Sequence, residues 1–180
     1  MSKNKKSSSF MTAKSLTVAA MLTAMSVIIG IFCKNFLNFG GGLFRITFEN
    51  LPIIMSGIMF GPIVGGLVGG ATDLISYFLS PQVYPPNLVV TLGAVVIGVI
   101  SGIVSRFIVK KQGYLQIILS GILAHAVGSM IIKSIGLFTF YGFAVLWRVP
   151  LYLVIAPIEI TLICIMYKNK SFRSLMEAGR

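Results

Sequence analysis

The chain has 180 residues, of which 56% are hydrophobic and 11% are charged, and its mean hydropathy is +0.94. Soluble domains carry about 25% charged residues. This composition therefore excludes a soluble domain and indicates an integral membrane protein. The net charge of +11 does not indicate nucleic-acid binding, because the basic residues flank apolar segments and form no single basic face.

Six apolar segments follow one another along the chain. A helix needs about 20 apolar residues to cross a bilayer, and its backbone groups must bond within the segment. We therefore predict an all-α integral membrane protein with six transmembrane helices in one small bundle. The predicted spans are 12–32, 49–60, 63–79, 88–107, 115–135 and 144–167. A basic N-terminal tail (1–11) and a basic C-terminal tail (168–180) are expected to flank the membrane domain (12–167).

The second and third segments are short, and one long helix kinked at Gly61-Pro62 is the alternative. Basic residues decide between the two, because cytoplasmic loops carry the excess of lysine and arginine. Six spans with a cytoplasmic N-terminus place eleven of the 15 basic residues inside and four on the outer half. The kinked helix would leave six inside and nine outside. We therefore predict six spans with both termini cytoplasmic.

Glycines recur every four residues in and between these two short segments, at Gly57, Gly61, Gly65 and Gly69. Small residues at this spacing allow helices to approach closely. The pattern therefore predicts tight packing, and alone it says nothing about a ligand.

Ionisable side chains inside a membrane segment usually face a cavity or a partner. Three stripes at helical spacing lie on three predicted helices: Asp73 with Tyr77; His125, Ser129 and Lys133; Arg148, Tyr152 and Glu159. The outer connections add Phe36, Arg45, Tyr84 and Trp147. Positive charge at the mouth of a pocket predicts an anionic ligand that enters from outside, since arginine binds carboxylates bidentately. A deeper carboxylate such as Asp73 suits N–H donors, and aromatic rings suit a flat heterocycle.

Each candidate also has a purely structural interpretation. Asp73 could cap a helix or pair with a neighbouring cation, and His125 could bond a backbone group in the core. Arg45 and Arg148 could be interfacial anchors whose long side chains extend to water. The aromatic residues could form an interfacial belt.

The sequence carries no pattern that indicates an enzyme. It has no phosphate-binding GxxxxGK[ST] loop, no HExxH motif and no nucleophile–base combination. Cys33 and Cys164 lie far apart, and one histidine makes no metal-ligand set. We predict no catalytic residues, no metal and no cofactor.

One run of residues carries a family resemblance: Phe44-Arg45-Ile46-Thr47-Phe48-Glu49-Asn50-Leu51-Pro52, followed by Gly57, Phe60-Gly61-Pro62, Gly65, Gly69 and Asp73. With about six helices in under 200 residues, the chain resembles the substrate-binding S components of energy-coupling factor (ECF) vitamin transporters. Within that group it is most similar to the folate-specific FolT family. The resemblance implies a membrane subunit of an ABC-type importer, in a bacterial plasma membrane, that captures folate outside and releases it inward.

The same resemblance implies the partners of the chain. A membrane coupling subunit would dock on an A-x-x-x-A pattern of the first helix, which Ala20 and Ala24 match, although small-residue packing is the alternative. Two ATPase subunits would supply the energy. Folate's heterocycle would meet Asp73, and its glutamate tail would meet Arg45, Lys133 or Arg148. An S component for another flat anionic vitamin, or a structural membrane bundle without a ligand, remains an alternative.

Overall fold

The computed structural model describes residues 13–39, 44–80, 85–109, 111 and 113–178. The candidate Tyr84 and the predicted N-terminal tail lie outside the described residues. Most of the described chain is helical: α1 (Ala13–Phe36), α2 (Asn50–Phe60), α3 (Pro62–Leu79), α4 (Leu88–Ile103), α5 (Tyr114–Ala124), α6 (Lys133–Tyr141), α7 (Arg148–Lys168) and α8 (Lys170–Ala178). Wider π-helical turns at Val104–Ile108 and His125–Ile132 extend α4 and join α5 to α6. A 3₁₀ segment, Gly142–Trp147, precedes α7.

Four helical stretches are long and apolar enough to cross a membrane: Ser15–Phe36, Pro62–Leu79, Leu88–Ile108 and Tyr114–Lys168. The last of them runs through α5, α6 and α7. Helix α2 is also apolar but shorter. The prediction of a helical membrane protein is therefore confirmed.

Helix α2 lies at the centre of the bundle. All of its residues are buried, and it contacts α1, α3, α4 and α7. Ile54 is 0% exposed and Ile53 is 1% exposed, so the helix has no polar face to present to water. This central position explains an apolar segment that is too short for an ordinary span. It also places the residues just before α2 inside the protein.

The chain turns sharply between α2 and α3. Gly61 has φ +89°, a conformation that glycine adopts without steric cost, and Pro62 begins α3, where its missing N–H is harmless. Arg106 Nη2 donates to the carbonyl oxygen of Phe60 at 2.8 Å and holds this corner against α4. The structure thus has two helices here and not one kinked helix.

The glycine repeat brings three helices into backbone contact. A Cβ atom at Gly98 of α4 would overlap the carbonyl of Gly65 on α3, and one at Gly65 would overlap Gly98. A Cβ at Gly57 of α2 would lie 2.5 Å from the carbonyl oxygen of Gly98. These glycines let α2, α3 and α4 pack at a separation that a larger residue would prevent.

Two short elements lie at the ends of the bundle. Strands β1 (Asn38–Phe39) and β2 (Phe44–Arg45) form an antiparallel hairpin between α1 and α2, with Asn38 opposite Arg45. Helix α8 lies within the segment predicted as a basic tail. Its Met176 is buried, and the Arg173 guanidinium lies 5.5 Å from the ring centroid of Tyr167.

Replacement of Gly98 by alanine should destabilise the protein, because the methyl group would meet the backbone of α3. Overpacking of this kind costs about 1–3 kcal/mol. Gly70→Ala is the matched control, since its Cβ would meet only a methyl group of Val95, at 3.1 Å. Thermal unfolding in detergent should show a lower midpoint for Gly98→Ala than for Gly70→Ala. Equal midpoints would contradict the packing described here.

Candidate ligand-binding site

A small cavity lies among α1, the hairpin and the adjoining ends of α3 and α4. Its volume is about 50 Å³, and its wall includes Lys34, Arg45, Asp73, Tyr77, Asn87 and Thr91. We call it the outer cavity, after the side on which sequence analysis expects it. Two cations and one carboxylate share this wall. Charged groups in a pocket between membrane helices mark it as a candidate binding site.

Asp73 is held in the outer cavity by a neighbour on α4. Thr91 Oγ1 donates to Asp73 Oδ2 at 2.7 Å. Tyr77 lines the same cavity, as its four-residue spacing from Asp73 predicts. Of the two carboxylate oxygens, Oδ2 is engaged by a hydroxyl, so the carboxylate has a fixed orientation and capacity for a further donor.

Lys34 is a member of this site that sequence analysis did not include. It lies in the last turn of α1 and donates to the carbonyl oxygen of Ser76 at 3.0 Å and to Ser80 Oγ at 3.1 Å. Both acceptors lie near the C-terminal end of α3, where carbonyl groups lack intrahelical partners and favour a cation. Lys34 therefore joins α1 to α3 beside Asp73.

A second set of charged and polar side chains begins at Arg45 and continues away from the outer cavity. We call it the outer charge cluster; its members are Arg45, Glu49, Asn50 and Lys133. Glu49 Oε1 lies 3.2 Å from Arg45 Nη2 and 3.5 Å from Lys133 Nζ. Lys133 Nζ also donates to Asn50 Oδ1 at 3.3 Å. Glu49 is 4% exposed and Lys133 is 3% exposed, so these interactions are shielded from water.

Two glycines make room for the outer charge cluster. A Cβ at Gly30 of α1 would lie 2.7 Å from Glu49 Oε2, and one at Gly93 of α4 would lie 2.5 Å from Lys133 Cγ. The charged side chains thus occupy space that larger residues would take. The predicted candidates Arg45 and Lys133 are brought together, and the anion between them is Glu49, which was not among the predicted site residues.

A third group of ionisable side chains lies on α7 and the π-helical turn before α6. His125 Nε2 is 2.6 Å from Glu159 Oε2, and both side chains are almost completely buried; we call them the inner pair. Ser129 Oγ lies 3.3 Å from His125 Nδ1. Local widening of a helix to the π form often accompanies functional side chains, and here it carries the imidazole that faces α7.

Two further predicted residues lie next to the inner pair. The ring centroids of Tyr152 and His125 are 6.1 Å apart, and the Arg148 guanidinium lies 5.5 Å from the Tyr152 ring centroid. Arg148 Nη2 donates to the Tyr152 hydroxyl at 3.4 Å. A largely apolar cavity of about 380 Å³ lies between α5 and α7, with His125 and Tyr152 on its wall. The predicted site residues thus form two groups, around the outer cavity and around the inner pair.

The remaining aromatic candidates lie on the surface of the described bundle. Phe36 is 67% exposed and Trp147 is 63% exposed. Ala20 and Ala24 are also exposed, on one face of α1. Among the described residues, no group of three or more His, Cys, Asp or Glu side chains is arranged to hold a metal ion.

Comparison with known proteins identifies the family. The sequence model of one protein family, described as the substrate-specific component of ECF transporters, matches residues 14–176, nearly the whole chain. The chain belongs to this family. Its members are transporter components that bind a substrate and are not a class of enzymes.

Two individual proteins can be compared with this ECF component. The fold is similar to that of a crystal structure of FolT bound with folic acid, at 25% identity and a TM-score of 0.65, over 89% of this chain and 98% of FolT. An uncharacterized protein MG098 homolog from Mycoplasma pneumoniae (strain ATCC 29342 / M129 / Subtype 1) is 30% identical over 95 residues. That match covers 53% of this chain and spans only 19% of the relative.

Loss of one member of the inner pair should destabilise the protein more than loss of both. His125→Leu leaves the Glu159 carboxylate buried without its partner, which costs about 3–5 kcal/mol. The double variant His125→Leu/Glu159→Leu should recover much of that loss, because apolar groups then fill the space. Thermal unfolding of the two single variants and the double variant measures the coupling. Additive losses would show that the two side chains do not act as a pair.

Proposed function

We propose that this protein is the folate-binding membrane subunit of an ECF-type ABC importer in a bacterial plasma membrane. It captures the vitamin with high affinity from outside and releases it inward when coupled to partner ATPases. The observation that carries the proposal is the outer cavity, in which Asp73 lies with Lys34 and Arg45, in a fold similar to folate-bound FolT. Family membership supports the transport role.

The proposal includes six membrane crossings with both termini cytoplasmic. Helices α1, α2, α3 and α4 supply four of them. Helices α5 and α6, with the π-helical turn that joins them, supply the fifth crossing, and α7 supplies the sixth. With this orientation the Gly61 corner and α8 are cytoplasmic, and the hairpin is outside. The excess of basic residues on the cytoplasmic side supports it.

Recognition would divide between the two ends of the ligand. The Asp73 carboxylate would accept hydrogen bonds from the N–H groups of the heterocycle, while Arg45, Lys133 or Arg148 would bind the glutamate carboxylates. Arg148 Nε is buried and has no hydrogen-bond partner among the described residues, so this arginine retains a donor for a ligand. Phe36, Tyr84, Trp147 and Tyr152 are the proposed aromatic contacts, and His125 is a further one.

Binding must widen the outer cavity. A site for a ligand of this size has a volume of about 300 Å³ or more, and the outer cavity measures about 50 Å³. The side chains around Asp73 would therefore move apart when the vitamin enters. The contacts of Lys34 and Thr91 with α3 are the ones that such a movement would change.

Energy for uphill transport would come from partner subunits, because the sequence has no phosphate-binding loop of its own. The membrane coupling subunit would dock on α1, where Ala20 and Ala24 present small side chains on the outside of the bundle. Two ATPase subunits would complete the importer. Small exposed residues permit close approach of a partner helix in lipid.

A binding assay tests the ligand and the site together. Purified protein in detergent should bind folic acid, and Asp73→Ala and Arg148→Ala should each weaken binding about tenfold or more, because each removes a charge-assisted hydrogen bond. Isothermal titration calorimetry measures the affinities. Lys111→Ala, which removes an exposed charge on the proposed cytoplasmic side, is the control and should leave the affinity unchanged.

The same assay separates the alternatives. Unchanged affinity in both Asp73→Ala and Arg148→Ala would overturn the assignment of the site. Tighter binding of another flat anionic vitamin in a panel would replace folate as the substrate. Absence of binding for every vitamin, with no small molecule co-purifying, would favour a structural membrane bundle.

A further inference from the structure

We propose that Glu49 determines which ligands the site accepts, by holding Arg45 in position for a ligand carboxylate through a contact that Glu49 also makes with Lys133. Glu49 would be a positioning residue, because it acts through the two cations and does not itself touch the ligand. This inference rests on the proposed function, which it extends by one residue. It is unexpected from charge alone, since an acidic side chain near the site would repel an acidic ligand.

The geometry joins the two cations through one atom. Arg45 Nη2 and Lys133 Nζ both approach Glu49 Oε1, at 3.2 and 3.5 Å. Arg45 lies in the hairpin and Lys133 is the first residue of α6, so the two come from elements far apart in sequence. Lys133 is buried and Arg45 is partly buried, so without the anion between them the two like charges would repel each other and their side chains would separate.

Glu49 is held by hydrogen bonds to its backbone, and its carboxylate is packed against α1. Ser26 Oγ donates to the Glu49 carbonyl oxygen at 2.5 Å, and the Glu49 amide donates to Thr47 Oγ1 at 3.3 Å. Gly30 allows Oε2 to lie so close to α1 that a Cβ there would be 2.7 Å away. Movement of Glu49 is therefore restricted. The cations are ordered when the protein folds, so ligand binding does not have to order them.

The position of Glu49 relative to the outer cavity indicates that it holds Arg45 in place and does not compete with a ligand carboxylate for it. Arg45 lines the cavity with Lys34 and Asp73, whereas Glu49 and Lys133 are not part of its wall. A ligand can therefore reach the guanidinium from the cavity side while Glu49 stays behind it. Arginine has five N–H donors in a planar fork, so it can bind two carboxylates on different edges.

The charges leave a surplus for a ligand to neutralise. Lys34, Arg45 and Lys133 are basic and only Glu49 and Asp73 are acidic among the side chains described above for the outer cavity and the outer charge cluster. Asn50 adds a donor, because its Nδ2 is buried and has no hydrogen-bond partner among the described residues. An anionic group that enters here would meet both a net positive charge and an N–H donor without a partner.

Folic acid and 6-hydroxymethylpterin test this inference, because 6-hydroxymethylpterin has the same heterocycle but carries no carboxylate. The wild-type protein should bind folic acid more tightly. Glu49→Gln keeps the size of the side chain and removes its charge. It should lower the affinity for folic acid about tenfold and leave that for 6-hydroxymethylpterin nearly unchanged, which reduces the preference. Calorimetry on the purified full chain gives all four affinities.

Gly30→Ala provides a second perturbation that leaves every charge in place. Its methyl group would displace Glu49 Oε2, so it should also reduce the preference for folic acid, by a smaller factor. Gly70→Ala is the matched control, because its Cβ would meet only Val95, and it should retain the wild-type preference. Thermal midpoints of all variants show whether each protein is folded at the assay temperature.

Three results would overturn the inference while leaving the proposed function intact. Tighter binding of folic acid by Glu49→Gln would show that Glu49 competes with the ligand. An equal loss for both compounds would show a merely structural role, and no change in either would show none. Failure of the wild-type protein to bind either compound would overturn the proposed function, and the inference with it.

Discussion

The contact of one buried carboxylate with two cations is the interaction on which the outer part of this structure depends. Glu49 lies immediately before the central helix α2, and it joins the hairpin to the start of α6 through Arg45 and Lys133. An unpaired charge at this position would be very costly, because neither lipid nor a packed core can solvate it. The pairing lets the protein keep basic side chains next to a cavity.

Glycines provide the space for these charges and for the helices around them. Gly65 and Gly98 bring the backbones of α3 and α4 together, while Gly30 and Gly93 accommodate the side chains of Glu49 and Lys133. Close packing and buried charge are therefore two consequences of one property, the absence of a side chain. The first stabilises the bundle without a hydrophobic driving force, which lipid does not supply. The second leaves room for charged side chains beside the outer cavity.

Much of the fold could be predicted because apolar segments, and helix breaks at Gly-Pro pairs, are recognised from neighbouring residues in the sequence. The break at Gly61, the two short helices and the shared face of Asp73 and Tyr77 all follow from spacing within one segment. The role of Glu49 could not be predicted in this way. Its partner Lys133 is 84 positions away in sequence, and only the tertiary packing brings the two together.

Other features were missed for related reasons. The π-helical turn at His125–Ile132 has no sequence pattern that distinguishes it from an α-helix, yet it sets the direction of His125 toward Glu159. The exposure of Phe36 and Trp147 agrees with the interfacial belt that was the alternative for these rings, and spacing alone does not decide which face of a helix meets lipid. Helix α8 has only nine residues, two of them basic, and it lies in the segment that its charges predict to be a basic tail.

The central claim is that charged side chains around Asp73 form the site of an anionic, ring-containing ligand. A crystal or cryo-EM structure of the purified protein with folic acid tests it most directly. The account predicts density for the vitamin between the outer ends of α3 and α4, with its heterocycle at Asp73 and a carboxylate at Arg45. It also predicts that Arg45 and Glu49 remain in contact. Density for the vitamin elsewhere in the bundle, away from both Asp73 and Arg45, would contradict it.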